Sequence, residues 1–296
     1  MKVDAHALLV RSARLVGPWT YALVSRIIAA GYFLFSPRVR ESRRLYATLF
    51  PQRSRWYHLW CTFRQYQNFT TIHYDRLLHD LGTATTSTSS GGEGLAANLG
   101  RTGAVLLMSH LGNWEMAARL LMEEQRQVPL LLYMGVKEKE GVERTQKEVL
   151  RRTGVTIIGV DRQNPVPFAA VEGIRVLRAG GLVSMTGDII WRRDQRSLGV
   201  TFLGHRAYVP EAPFVFALVA GVPIYVFFAF RIGVNSYQCH FSEPIEVKAT
   251  SRKGRNQAIA QAAQRYADLL EATLRAHPLE WYHFDRFLHD PGSRDC

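Results

Sequence analysis

The chain has 296 residues, of which 47% are hydrophobic and 21% charged, which is the composition of a globular protein with room for a sizeable core. Its 37 lysines and arginines against 25 acidic residues give a net charge of +12, which favours an anionic partner: nucleic acid, an anionic membrane leaflet or an acidic carrier protein. The three cysteines (Cys61, Cys239, Cys296) are far apart and form no CxxC pair, so they imply neither a disulfide framework nor a zinc site, and a reducing compartment fits best.

The first notable segment is an apolar stretch at residues 15–35, of membrane-spanning length but interrupted by Gly17, Pro18 and Arg26. A central arginine makes insertion across a bilayer costly, by roughly 2.5–3.5 kcal/mol. Basic residues flank the stretch and Trp, Tyr and Phe lie at its margins, which favours an interfacial or shallowly inserted helix. The alternative is a soluble helix that packs on the protein's own core.

Residues 39–81 have a helical pattern, with an aromatic and apolar stripe at spacings of three and four. Residues 82–94 are rich in Thr, Ser and Gly, which predicts a connecting loop. We therefore expect an N-terminal membrane-associating helical region at 1–81 and an α/β domain at 95–296, joined in one continuous fold.

From residue 103 onward, short apolar runs alternate with amphipathic segments of helical length. Strands are predicted at 104–109, 129–134, 155–160, 182–186, 224–230 and 237–247. Helices are predicted near 113–126, 141–152, 166–179, 211–220 and 256–276. This alternation predicts an α/β fold with a mixed, largely parallel central sheet flanked by helices. In such sheets functional residues lie at the carboxyl ends of the strands.

The first of these strands leads directly to a candidate catalytic histidine. His110 follows the strand, Gly112 permits a tight turn, Asn113 is a candidate N-cap, and Glu115 lies in the first turn of the next helix. We expect Glu115 to bond one ring nitrogen of His110, so that the other can take a proton from an attacking hydroxyl. Backbone N–H groups at the helix start are expected to stabilise an oxyanion. The alternative is a histidine that only caps or packs beside the helix.

The segment SHLGNWE, which contains His110 and Glu115, resembles the H-x4-D/E motif of glycerolipid and lipid A acyltransferases. The resemblance is closest to the bacterial lipid A biosynthesis (lauroyl/myristoyl) acyltransferase family. Segments 177–188, 200–224 and 277–287 are similar to further passages of that family, and the resemblance extends over residues 15–290. It implies that Asp188 is a second active-site acid beside His110 and Glu115.

The resemblance also implies an activity and its substrates. It implies an acyltransferase that moves a fatty acyl group from an acyl carrier protein thioester, or less readily from CoA, to a hydroxyl of a lipid A precursor or similar glycolipid. No cofactor and no metal are expected, because an acceptor hydroxyl can attack a thioester directly. The expected location is the cytoplasmic face of the inner membrane, on an anionic membrane surface.

Two other functions fit the same sequence. One is O-acylation of a lysophospholipid or an aminolipid, and the other is a non-enzymatic, basic membrane-lipid-binding protein. Nucleic-acid binding is not expected, because the basic residues form no recognition helix and the aromatic residues lie in apolar stripes.

Several further residues are candidates for substrate binding. In relatives an arginine after the second strand contacts the phosphate or sugar of the substrate; Arg152 is favoured here, with Arg144 second, because a guanidinium grips phosphate bidentately. Arg192 and Arg193 belong to a basic patch with Arg196, His205 and Arg206, which could hold an anionic headgroup or an acidic carrier protein. Asn113 is the remaining candidate. The alternative for each arginine is a solvated surface charge.

Overall fold

The computed structural model describes residues 12–13, 15–99, 101–124, 128–135, 156–160, 167–192 and 194–289. The strands are β1 (Thr86–Ser90), β2 (Ala104–Met108), β3 (Leu130–Gly135), β4 (Thr156–Val160), β5 (Leu182–Thr186), β6 (Ser197–Phe202), β7 (His205–Pro210), β8 (Ile224–Gly233) and β9 (Ser236–Phe241). The helices are α1 (Pro18–Phe35), α2 (Val39–Leu49), α3 (Arg55–Asp80), α4 (Glu93–Asn98), α5 (Trp114–Glu124), α6 (Pro167–Arg178), α7 (Ala212–Ala220) and α8 (Arg255–Ala276).

Seven of these strands form a central sheet in the order β1-β9-β8-β2-β5-β3-β4. Every neighbouring pair is parallel except β8 and β9, which are antiparallel. Every residue of β2 is buried, as its uninterrupted apolar run predicts for a strand covered on both faces. The predicted α/β fold with a mixed, largely parallel sheet is confirmed.

The side chains of β2 alternate between two hydrophobic layers, one on each face of the sheet. Val105 and Leu107 pack with residues of α7 and α8, whereas Leu106 and Met108 pack with residues of α5. Both layers use the two-residue period of a strand, and the helices that follow the strands supply the covering side chains. The central strands are therefore fixed from both faces, which holds their carboxyl ends in place.

The pairing of β2 with β5 determines what lies at the carboxyl edge of the sheet. Met108 is in register with Thr186, the last residues of the two strands. Because the strands are parallel, the residues that follow them emerge at the same edge. His110 and Asp188 each come two residues after this aligned pair, so they are brought side by side although 78 positions separate them.

Three local differences from the sequence predictions have simple causes. Residues Thr86–Ser90, in the predicted connecting loop, form an exposed edge strand parallel to β9; a Ser/Thr run is compatible with both structures. The last regular strand ends at Phe241 rather than near 247; Pro244 has no N–H to donate, and beyond it the pairing with β8 continues only as a bridge between Ile245 and Ile224. Strands β6 and β7 form an antiparallel hairpin outside the main sheet, which the alternating pattern did not predict. The helix predicted at 141–152 lies outside the described residues.

The N-terminal helices cover one side of the α/β portion. Helix α1 packs along α3, and the aromatic stripe predicted within 39–81 lies on α3, where Phe69 contacts Phe284 and Tyr282. In the part of the chain that the structure describes, no single helix is long and apolar enough to cross a membrane. Helices α1 and α2 reach that length and composition only as a pair, and they are bent by 85°.

Candidate active site

The imidazole of His110 lies at the carboxyl edge of the sheet and is bonded to a carboxylate. Its Nδ1 is 2.9 Å from Oδ1 of Asp188, and its backbone N–H donates to Oδ2 of the same residue at 2.8 Å. The His110 side chain is 24% exposed, whereas that of Asp188 is completely buried. Because Nδ1 faces Asp188, Nε2 lies on the opposite edge of the ring, where a hydroxyl can approach.

Asp188 is held as a buried carboxylate by several donors. In addition to the two groups of His110, the indole N–H of Trp281 donates to Oδ2 at 2.9 Å. Burial alone raises the pKa of Asp188, but the charge and hydrogen bond of His110, with His283 and Trp281, outweigh burial and lower that pKa to about 2. Asp188 is therefore ionised at neutral pH. It fixes the tautomer with a proton on Nδ1 and stabilises the imidazolium.

Glu115 does not bond His110, so the predicted pairing of these two side chains is corrected. Oε1 of Glu115 accepts from Nε of Arg76 at 3.0 Å and from Nη2 of Arg119 at 2.8 Å, and a second bond joins Arg76 to Oε2. Glu115 and Arg119 are both buried. The physical reason is the turn between β2 and α5. It points the first turn of α5 toward α3, where Arg76 captures the carboxylate.

This turn has a tightly specified backbone. Gly112 has φ +80°, and a Cβ there would be 2.4 Å from the carbonyl oxygen of Ala229. The N–H of Gly112 donates to Glu280 and that of Asn113 to Ala229, while the carbonyl of His110 accepts from Tyr282. The N–H groups of residues 110–113 thus all serve to hold the turn. The oxyanion site predicted from the start of the helix cannot use these four groups, and the predicted site itself stays a prediction.

Asn113 is the N-cap that the sequence predicts. Its Oδ1 accepts from the N–H of Met116, and its Nδ2 donates to the hydroxyl of Tyr237 at 3.0 Å. That hydroxyl donates in turn to Asp75 at 2.7 Å, and Asp75 is also bonded by Arg231. Burial and the charge of Asp75 raise the pKa of Tyr237, so the phenol keeps its proton. Two neighbouring residues of α3 therefore hold the start of α5. Asp75 is linked to Asn113 through the Tyr237 hydroxyl, and Arg76 is bonded directly to Glu115.

A family match shows what kind of enzyme the chain is. The model of the family described as bacterial lipid A biosynthesis acyltransferase matches residues 83–289, which is more than half of the chain and includes His110, Glu115 and Asp188. The chain belongs to this family. It is therefore an acyltransferase, and the family implies an acyl donor and a lipid A-type acceptor as its substrates. A search of curated proteins finds no significant match.

A cavity of about 300 Å³ lies beside the pair His110–Asp188, called the dyad below. Asp188, His283, Tyr208 and Arg286 are among the residues that line it. The ring of His283 is buried, lies 6.3 Å from that of His110, and stacks on Trp281 at 5.2 Å. Burial lowers the pKa of His283 despite the nearby charge of Asp188, so this imidazole is neutral at neutral pH.

Neither Trp281 nor His283 has a role predicted from the sequence. The signal for both is the segment 277–287, which resembles the family as a whole without giving these two residues a function. Their contacts with Asp188 and His110 follow from the return of the chain after α8. That return places residues 279–283 across the carboxyl edge of the sheet, where Leu111 and Trp281 form a bridge.

The arginines predicted to bind substrate fall into two groups. Arg144, Arg152 and Arg193 lie outside the described residues. Arg192 is described, and its guanidinium is bonded to Asp194, with Nε 2.8 Å from Oδ1. It lies in the segment between β5 and β6, on the same edge as the dyad, and its role in substrate binding stays a prediction.

Proposed function

We propose that His110 is the general base of this acyltransferase and that Asp188, rather than Glu115, is the carboxylate that orients it. The observation that carries this proposal is the 2.9 Å contact between Nδ1 of His110 and Oδ1 of Asp188, with the carboxylate fully buried and the imidazole partly exposed. In the neutral imidazole, an ionised partner on Nδ1 holds the proton there, so the lone pair lies on Nε2. This is the state that a general base requires.

In the proposed reaction, Nε2 of His110 takes the proton of an acceptor hydroxyl as its oxygen attacks the carbonyl carbon of an acyl thioester. A carbon–oxygen bond forms, the carbon–sulfur bond breaks, and the departing thiolate receives the proton from the imidazolium. Asp188 stabilises the imidazolium between these two transfers. The products are an ester and a thiol, so no further reactant is needed.

Glu115 has a positioning role in this proposal. Its carboxylate is shared by Arg76 of α3 and Arg119 of α5, which ties the first turn of α5 to the N-terminal helices. This contact fixes where α5 begins, and His110 lies in the turn immediately before it.

For the substrates, we propose an acyl carrier protein thioester as donor, with CoA as the alternative, and a hydroxyl of a lipid A precursor or similar glycolipid as acceptor. The net charge of +12 favours an acidic carrier protein. Arg286 lines the cavity beside Asp188 and has no ion pair among the residues described, so it suits an anionic acceptor headgroup. Lysophospholipid or aminolipid acylation is the second candidate, because the same dyad serves any lipid hydroxyl.

We also propose that the enzyme works at the cytoplasmic face of the inner membrane. The support is the outward face of α1, where Trp19, Leu23, Ile27, Tyr32 and Phe35 are exposed. Such a face, with arginines nearby, is typical of helices that lie in a membrane interface.

The test of the dyad is a His110→Ala variant assayed with acyl carrier protein thioester and a lipid A precursor. Thiol release and lipid mass are both measured. We expect product formation to fall by roughly 10²–10⁴, the usual contribution of a general base. Thermal unfolding is measured alongside to establish that the variant is folded, because it loses one partner of the buried Asp188. A His240→Ala variant is the matched control, because His240 is exposed on β9. Full activity of His110→Ala would remove this imidazole from the mechanism.

The test of the substrates uses the wild-type enzyme. One donor is offered with a lipid A precursor, a lysophospholipid and an aminolipid in turn, and then one acceptor is offered with acyl carrier protein and CoA thioesters. We expect the highest kcat/KM for the glycolipid with the carrier protein. A preference for the lysophospholipid would replace the first proposal for the acceptor by the second.

A further inference from the structure

A second cavity, of about 390 Å³, lies on the N-terminal helices rather than at the carboxyl edge of the sheet. It is a groove between α1 and α3. Arg26 and Ile27 of α1 line it from one side, and Phe63, Arg64 and Asn68 of α3 line it from the other. Its volume is within the range of about 300–1,000 Å³ that is usual for small-molecule sites.

The groove carries positive charge without acidic neighbours. None of its lining residues is acidic, and neither Arg26 nor Arg64 makes an ion pair within the described ranges. The backbone between them is fixed, because Gln67 donates to the carbonyl of Arg26 at 3.2 Å. Two guanidinium groups without a counter-ion, on helices held together at that point, form a site that attracts an anion.

The surroundings of the groove are apolar and exposed. On α1, Trp19 is 59% exposed and Leu23 52%; on α3, Trp56 is 68% exposed and Trp60 48%. An exposed apolar surface of this kind marks an interaction site. Tryptophans beside arginines are typical of the depth at which lipid headgroups meet acyl chains.

We propose that the groove binds the phosphate of an anionic membrane phospholipid, with Arg26 and Arg64 on the phosphate and the acyl chains along Ile27 and Phe63. This inference rests on the membrane association in the proposed function. Charge complementarity selects the occupant, because guanidinium groups bind phosphate in a planar, bidentate way. A second copy of the same groove would bring like charges together.

A hydrogen bond connects the groove to the segment that crosses the carboxyl edge of the sheet. Asn68, which lines the groove, donates from Nδ2 to the carbonyl of Leu279 at 3.3 Å. Leu279 is followed by Glu280, whose carbonyl accepts from the N–H of Gly112, and by Tyr282, whose N–H donates to the carbonyl of His110. A lipid held in the groove thus fixes the orientation of the catalytic turn toward the bilayer that contains its acceptor.

The main experiment compares two double variants of the full-length protein by co-sedimentation with vesicles. One removes the groove charges (Arg26→Gln, Arg64→Gln), and the matched control removes two exposed arginines near the start of α8 (Arg252→Gln, Arg255→Gln). The vesicles contain phosphatidylcholine alone, or half phosphatidylglycerol. We expect the groove variant to lose roughly ten- to thirtyfold in binding to the anionic vesicles, as expected for two arginines at a membrane surface, and the control to lose less than threefold.

Several outcomes would overturn the proposal. An equal loss in both variants would assign the binding to general surface charge, and no loss would exclude the groove. Retained vesicle binding with lost binding of acyl carrier protein would assign the groove to that protein. If the wild type binds neither vesicle, the membrane proposal fails. Acyl transfer by the wild type in detergent micelles, assayed separately, still tests the catalytic proposal.

A second measurement distinguishes a lipid from a free phosphate. Trp60 lies one turn before Arg64 and is exposed, so its fluorescence reports on the groove. Dihexanoylphosphatidylglycerol below its micellar concentration should change the emission of the wild type but not of Trp60→Phe, and the change should be lost in the groove variant. Glycerol phosphate should have no such effect. An equal response to glycerol phosphate would overturn the lipid assignment.

Discussion

The carboxyl edge of the sheet and the contact between α3 and α5 each bury one carboxylate near the same turn. At the sheet edge, Asp188 faces a single imidazole and an indole. At the helix contact, Glu115 lies between two guanidinium groups. Proximity in sequence therefore does not determine which group a carboxylate binds. Glu115 is five positions from His110 and is paired with two arginines, whereas Asp188, 78 positions away, is the partner of His110, the proposed general base.

The largest difference between the two carboxylates is expected when each is replaced by its isosteric amide. We expect Asp188→Asn to lower kcat by roughly 10²–10⁴, because an amide opposite Nδ1 no longer fixes the basic tautomer or stabilises the imidazolium. Glu115→Gln should leave kcat within about tenfold, since it acts only through the position of the helix. Steady-state kinetics on both variants provide the measurement. A larger loss in Glu115→Gln, with the fold intact, would reverse the roles.

For stability we expect the opposite order, with Glu115 contributing more to the free energy of unfolding than Asp188. Glu115→Ala leaves two arginines without their shared carboxylate, one of them buried, and we expect a loss of about 3–5 kcal/mol in the free energy of unfolding. Urea unfolding measures this difference. Glu172→Ala is the matched control, because Glu172 pairs with Arg175 on an exposed helix surface and should cause no measurable change. A small effect of Glu115→Ala would argue against its role as an anchor.

The pH dependence of stability tests whether Asp188 is a carboxylate with a lowered pKa. The pKa of Asp188 is lowered to about 2 from an ordinary 3.8, so its charged form stabilises the fold above pH 3.8. That contribution, on the order of 2 kcal/mol, is lost as the pH falls from about 4 to 2. Urea unfolding of wild type and Asp188→Asn across this window should therefore show a stability difference that shrinks toward low pH. A difference that stays constant would mean that Asp188 is not a depressed carboxylate.

The sequence predicts the sheet well because buried parallel strands have an unmistakable local pattern. The apolar runs that became β2 and β5 were located to within one residue. Both His110 and Asp188 were identified as residues that follow such strands. Their pairing was not predicted, because strand order is a property of the whole sheet. β5 lies beside β2, whereas β3 and β4, which come between them in the chain, lie farther out.

The residues that surround the dyad were harder to predict for a related reason. Arg76, Trp281 and His283 come from α3 and from the segment after α8, both distant in sequence from the turn that they contact. A helical arginine or an aromatic pair has no local pattern that distinguishes a buried contact from an exposed one. The N-cap role of Asn113, by contrast, depends only on its own turn and was predicted correctly.

The smallest effect is expected when the hydroxyl of Tyr237 is removed. It links Asn113 to Asp75, so Tyr237→Phe removes two hydrogen bonds while Asp75 keeps its bonds to Arg231. Because Asp75 stays paired, we expect a loss of only about 1 kcal/mol in unfolding free energy. The kcat should change little, since no atom of the His110–Asp188 pair is touched. Tyr74→Phe is the control, because its hydroxyl makes no hydrogen bond within the described residues. A large fall in kcat without loss of stability would show that this network acts on the dyad itself.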